Sequence, residues 1–251
     1  MPESPYTKIV SLVPSLTELL FDLGVEDQII GRTRFCIHPK NKVNDIEIIG
    51  GTKNPKLDKI IELQPDLIVA NKEENRKADI EILEKYSKVH LTEISSIQDA
   101  LLEISSLGEL LKLNDKANTL ISDIDRLISE KPDQSKLSVC YFIWKEPWMT
   151  VGQDTYIHDV LKEYDLINIF QEKNRYPKTT LEAVKQKDPD LILLSSEPYP
   201  FKEKHLKEIK KRIPTANVEL VNGEWFSWYG SRMTKAFRKL NTWRKELSLK
   251  N

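Results

Sequence analysis

The chain has 251 residues, with 38 Lys and Arg against 39 Asp and Glu and a formal net charge of -1. That balance argues against a nucleic-acid binder, which would carry a basic face or stripe. A hydrophobic content of 39% is enough for a packed core and argues against disorder. No apolar run approaches the roughly 18 residues of a membrane-spanning helix. The start, Met1 to Tyr6, carries no basic segment followed by an apolar stretch, so no secretory signal is expected in the sequence. Cys36 and Cys140 are far apart and lack C-x-x-C spacing, which reads as two free, buried thiols rather than a disulfide framework.

In chain order, Lys8 to Val13 is a short apolar run that reads as a buried strand. Pro14-Ser15-Leu16-Thr17-Glu18 follows, and the spacing of Ser15 and Glu18 predicts a capping box at a helix start. Leu16, Leu19, Leu20 and Leu23 supply that helix's apolar face, and Gly24 ends it. Gln28 to Gly31 reads as a second strand. Leu57 to Leu63 is a short amphipathic helix, Gln64-Pro65-Asp66 a turn, and Leu67 to Ala70 an aliphatic strand. The same phrase returns downstream as Leu181 to Lys187, Asp188-Pro189-Asp190 and Leu191 to Leu194. The interval exceeds any solenoid period, so the phrase reads as two lobes of like design.

Between these phrases, Ile97 to Lys112 is an amphipathic helix, and a second helix capped by Asn114 runs to about Lys131, where Pro132 stops it. The spacing predicts a lobe over 1–112, a connecting helix over 113–133 and a lobe over 134–251. The fold class expected is α/β, two Rossmann-like lobes with parallel sheets joined by one long helix. Neither G-x-G-x-x-G nor a P-loop is present, which removes support for nucleotide binding.

These residues, in this order, resemble the cobalamin- and ferric-siderophore-binding proteins that serve ABC importers, and the cobalamin-binding members most closely. In the first lobe the resemblance rests on the Pro14-Ser15-x-Thr17-Glu18 start, Gly50-Gly51 before Leu57-Asp58-Lys59-Ile60, and the Pro65-Asp66 strand. In the second it rests on Pro147, Thr150-x-Gly152, Asn168-Ile169-Phe170, Tyr176-Pro177, Glu182, Pro189-Asp190, Glu224-Trp225-Phe226 and Arg232. The resemblance covers nearly the whole chain. It implies a ligand held between lobes on loops at the carboxyl ends of strands, as in open α/β sheets generally. It also implies a glutamate on each lobe that meets the permease. Glu182 matches the second. At the first-lobe position stands Lys77, with Glu73, Glu74 or Asp79 nearby, and Glu73 is taken as the docking residue. Where cobalamin-binding members have a tryptophan after the first Pro-Asp strand, this chain has Asn71.

Aromatic residues crowd the short loops of the second half. Trp148, Tyr176, Trp225, Phe226 and Trp228 are read as ligand-facing, since flat rings can sandwich a planar macrocycle, with ordinary core packing as the competing reading. Trp243 is read as packing on the C-terminal helix. Pro14, Ser15, His38, Asn71, Lys72 and Glu74 are expected to line the ligand site from the first lobe, and Arg232 to meet an anionic or amide group. Cys36 and His38 alternate at strand spacing and could jointly approach a metal. With four histidines and no H-x-x-x-H pair, the chain is poorly suited to be a bare zinc receptor.

The expected function is capture of a metal-chelate ligand, cobalamin-like, haem-like or a ferric siderophore, for an ABC-importer permease. No catalysis, no resident cofactor and no nucleic-acid partner are expected, and the chain is read as a monomer. The resemblance places it outside the cytoplasm; the missing signal leaves a cytoplasmic location as the alternative. The rival function is an intracellular metal- or tetrapyrrole-handling enzyme on the same scaffold, using His38, Cys36 and Glu74.

Overall fold

The computed structural model describes residues 4–248. The chain divides into two units, the first made of 1–94, 98–125 and 229–234, the second of 95–97, 126–228 and 235–251. The sequence reading had set its limits at residues 112 and 134.

The first unit holds a five-stranded sheet of β1 (Ile9–Ser11), β2 (Ile29–Arg32), β3 (Glu47–Ile48), β4 (Leu67–Asn71) and β5 (Lys88–Thr92), in the order β3-β2-β1-β4-β5. Every pairing is parallel. Its helices are α1 (Pro14–Leu23), α2 (Leu57–Glu62), α3 (Lys77–Leu83) and most of α4 (Ile97–Leu110). β1 and β4 are buried at every position, as strands covered on both faces must be. Val10, Ile68 and Ala70 from these strands, with Leu12 just after β1, meet Ile60, Ile80 and Leu83 from α2 and α3 in one core cluster. α5 (Asn114–Ser129) begins in the first unit and ends in the second. α4 and α5 approach so closely that a Cβ on Gly108 would sit 2.4 Å from that of Ala117, which explains a glycine inside a helix.

The second unit holds a four-stranded parallel sheet of β6 (Leu137–Phe142), β7 (Leu166–Asn168), β8 (Leu191–Ser195) and β9 (Asn217–Val221), in the order β7-β6-β8-β9. Its helices are α6 (Tyr156–Glu163), α7 (Leu181–Gln186), α8 (Glu203–Arg212), α9 (Glu224–Ser227) and most of α10 (Arg232–Ser248). Cys140, Phe142, Ile192 and Leu194 point to one face, against Leu181, Val184, Ile209 and Ile213 from α7 and α8. Both cysteines are free and buried. Among the described residues no helix is long and apolar enough to cross a membrane.

The repeated x-Pro-Asp phrase has a structural reason. Asp66 accepts hydrogen bonds from the Thr7 amide (2.8 Å), the Thr7 hydroxyl (2.9 Å) and the Lys8 amide (3.0 Å). Asp190 accepts from the Ser138 amide and hydroxyl, both at 2.7 Å. In each unit the aspartate at the entry of one central strand ties down the start of its neighbour, β1 or β6. The Ser138 hydroxyl and amide hold the Asp190 carboxyl below the usual carboxylate range. A carboxyl depressed in the folded state stabilises above its unfolded pKa, and that contribution is lost as pH falls through the folded value. Asp190 is exposed and solvent screens its contacts, so Asp190→Ala is expected to lower stability by no more than about 1 kcal/mol at neutral pH. The gap to the parent should close below about pH 4, read from urea midpoints at both pH values. An unchanged gap at low pH would contradict it.

Two local expectations are corrected. Ser15 is not a cap: Val13 stands at the N-cap position with no side-chain bond, and Pro14 occupies the first helical turn. Proline's fixed φ and missing N–H suit that position, so the helix starts two residues earlier than a Ser15 cap would allow. Glu18, freed from capping, is 1% exposed and bonds the Arg232 guanidinium at 2.6 Å. The stretch carrying Cys36 and His38 is not a strand either. β2 ends at Arg32, and the Cys36 amide bonds back to the Thr33 carbonyl at 3.1 Å in a turn.

Candidate functional site

In each sheet the carboxyl ends of the strands feed the loops that carry most of the candidate residues. In the first unit, β4 ends at Asn71, 1% exposed, whose side chain is committed to its own loop. Its Oδ1 accepts from the amides of Glu73 (2.8 Å) and Glu74 (3.2 Å), and its Nδ2 donates to Thr92 Oγ1 at 2.9 Å. Asn75 Oδ1 in turn accepts from the Asn71 amide at 2.9 Å, and Asn75 Nδ2 donates to the Thr52 carbonyl at 3.0 Å. Asn71 thus shapes the turn that presents Lys72, Glu73 and Glu74, with its side-chain amide taken up inside the loop. Lys72 is exposed and ion-pairs with Glu93; Glu73 and Glu74 are half-buried. Pro14 is half-buried and Ser15 buried at the start of α1, which follows β1.

The loop after β2 is clamped from inside. Arg32 Nε donates to the Val43 carbonyl at 2.6 Å and its Nη1 to the Cys36 carbonyl at 3.1 Å. Cys36 Sγ lies 3.0 Å from Thr17 Oγ1 and 3.2 Å from Thr33 Oγ1. Burial pushes the Cys36 thiol up, against the smaller opposing effect of those hydroxyls. The chain here forms a turn rather than a strand, with Cys36 buried and His38 half-buried. The thiol of Cys36 is thus taken up by two hydroxyls inside the loop, while His38 is half-buried beyond it. Among the described residues no group of three or more His, Cys, Asp or Glu is arranged to hold a metal ion. Phe35 and Ile37, flanking Cys36, are 52% and 49% exposed.

In the second unit the loops after β6 and β8 bring rings together. Trp148 lies 4.8 Å from Phe142 and stacks on Phe201 at 6.0 Å with 10° between planes. Tyr199 contacts Phe201 at 4.7 Å and Trp144 edge-on at 5.5 Å. Lys145 Nζ sits over the Trp148 ring at 5.3 Å while bonding Glu208 at 2.5 Å. Trp144 is the most open ring of the group, 40% exposed. Buried His205 borders it, its pKa lowered by burial and by nearby Lys145. Of the ring residues read from sequence, this group contains Trp148. Tyr199 and Phe201 were missed there, although the Glu-Pro-Tyr-Pro-Phe run after an aliphatic strand was a usable signal.

The remaining rings are placed otherwise. Phe226 is fully buried between Tyr141 (5.2 Å) and Trp243 (6.0 Å), so its ligand-facing reading is corrected: it is core. Trp228 is 9% exposed, and its Nε1 donates to Glu197 Oε1 at 2.8 Å, where the Ser227 hydroxyl also donates at 2.8 Å. That indole is a brace between the loops after β8 and β9, not a free platform. Trp225 is half-buried on α9, and half-buried Tyr176 has the Arg175 guanidinium over its ring at 5.5 Å. Arg232, read as a ligand-facing cation, has Nε committed to buried Glu18. Glu182 is exposed in the first turn of α7, 3.3 Å from Arg212.

Two all-parallel α/β units with polar and aromatic loops at their strand ends define a class of ligand-capture protein. The chain belongs to the periplasmic binding protein family, whose model matches residues 9–220. It is 27% identical over 199 residues to the uncharacterized ABC transporter substrate-binding lipoprotein YvrC of Bacillus subtilis, a match spanning 74% of this chain but only 62% of that protein. It is 23% identical over 245 residues to the vitamin B12-binding protein of Vibrio campbellii, covering 94% of this chain and 88% of the relative. In fold it is similar to the periplasmic vitamin B12-binding protein BtuF of Vibrio cholerae, with a TM-score of 0.83 at 20% identity over 98% of this chain and 99% of that one.

Proposed function

We propose that this chain captures a metal-chelate ligand, cobalamin-like, haem-like or a ferric siderophore, and delivers it to an ABC-importer permease outside the cytoplasm. The observation that carries the reading is the family match across both sheets; the relatives named above support the transport role and the ligand class. The metal arrives with the ligand, so no resident cofactor is required. Capture is by burial of apolar and aromatic surface with a few polar groups setting orientation, and no bond is made or broken. The protein acts as a monomer, and Glu182 and Glu73 are the residues offered to the permease.

Among the rings grouped after β6 and β8, Trp144 is the one most open to a planar guest. Cyanocobalamin, haemin and a ferric siderophore are each titrated while tryptophan fluorescence is followed. One of them should give saturable quenching at micromolar concentration. Trp144→Ala should weaken that chelate about tenfold, the size of an interface anchor, and shift stability by no more than about 0.5 kcal/mol. Silence from all three chelates would sink the proposal.

A further inference from the structure

We propose that a groove in the second unit, between the end of α5 and α10, is a resting site on an anionic phospholipid surface. The near-neutral chain conceals a division of charge. The first unit carries 16 Lys and Arg against 22 Asp and Glu, a net of -6, and the second 22 against 17, a net of +5. Much of the excess lies on α10, whose exposed positions include Lys235, Arg238, Lys239 and Lys245 against Glu246. Beside it opens a groove of about 560 Å³ floored by Leu127 and Asn241 and lined by Arg126, Arg238 and Lys245, with Glu130 its single acid.

Asn241 donates to the Leu127 carbonyl at 2.9 Å and accepts from the Tyr164 hydroxyl at 2.8 Å, which fixes α10 against the end of α5. Glu130 is taken up by Arg126 at 3.1 Å. Arg238 and Lys245, two turns apart on one helix face, form no ion pair among the described residues. Two open cations over a groove with one small apolar patch match a phosphodiester headgroup, with the guanidinium taking phosphate oxygens and the ammonium adding a point charge. A cationic helix face of this kind is drawn to anionic lipid and released as salt screens it. The exposed face of α8 is also basic, but Glu203 and Glu208 interleave its lysines.

The test is flotation of the full chain, without any chelate, on phosphatidylcholine vesicles with and without about one-third phosphatidylglycerol. Binding is expected on the anionic vesicles only and should disappear in high salt. Each basic residue near such a surface contributes roughly fivefold, so R238Q/K245Q should bind roughly twenty-five-fold more weakly, and R238E/K245E should not bind. Both positions are exposed, and circular dichroism checks that the variants fold. Equal binding to neutral vesicles, no binding to anionic ones, or unchanged binding by R238E/K245E overturns the proposal. Full displacement by millimolar glycerol phosphate would show a free-anion site instead and would overturn it as well. Because no chelate is present, the outcome is independent of whether the capture function holds.

Discussion

Glu18→Ala is expected to lower stability by about 3–5 kcal/mol, the cost of leaving one member of a buried ion pair uncompensated. Glu18 is 1% exposed and the Arg232 side chain 11%, and their contact at 2.6 Å joins residues 214 apart in sequence. Both belong to the first unit, so the pair ties the returning segment 229–234 to α1. Arg232 opens α10, where a positive charge works against the helix dipole, so the carboxylate also offsets an unfavourable placement. Removing both charges with E18A/R232M should therefore recover part of the loss, because no buried cation then remains. Urea unfolding of the two single variants and the double variant gives the coupling. A loss under about 1 kcal/mol for Glu18→Ala would show that the pair does not hold the segment.

What could be read from sequence follows the range of the forces involved. The aliphatic runs at Ile9–Ser11, Leu67–Asn71 and Leu191–Ser195 announce central strands because both faces are buried and every position is apolar or small. The x-Pro-Asp repeat was legible because it is local, although its purpose was not: the partners of Asp66 and Asp190 come from the neighbouring strand. The edge strands β3, β5, β7 and β9 escaped notice, and so did β6, although it is central in its sheet. β3 is two exposed residues and β5 alternates polar and apolar residues (Lys88, Val89, His90, Leu91, Thr92), so neither carries an apolar run. The two-sheet α/β class stands as read. The site was less legible. Ser15 and Glu18 match a capping box in spacing, yet Pro14 sets the helix start and Glu18 is claimed by a residue far along the chain. Asn71 was placed at a strand's carboxyl end, but only coordinates show its side chain spent on Glu73, Glu74 and Thr92. Density of rings in loop sequence does not tell an open ring from a core ring, as exposed Trp144 and buried Phe226 illustrate.

Phe226 offers the sharpest separation of those two roles. Its ring is wholly enclosed between Tyr141 and Trp243, and Tyr141 is itself buried, its hydroxyl donating to Ser195 Oγ at 3.1 Å. Trp243 is held on the other side by Nε1 donating to Glu219 at 2.9 Å. With both neighbours anchored by hydrogen bonds, the space left by truncation cannot collapse readily, which places Phe226→Ala near a loss of about 3–5 kcal/mol. Phe226→Leu keeps most of the volume and should lose no more than about 1.5 kcal/mol. Below its unfolding midpoint, Phe226→Ala should hold whichever chelate quenches the parent with affinity within about threefold, since less than 1 kcal/mol of binding would be at stake. Trp144→Ala should show the opposite pattern, with binding weakened and stability kept. If Phe226→Ala abolished binding while its urea midpoint stayed at the parent value, the ring would belong to the ligand site and its assignment to the core would be wrong.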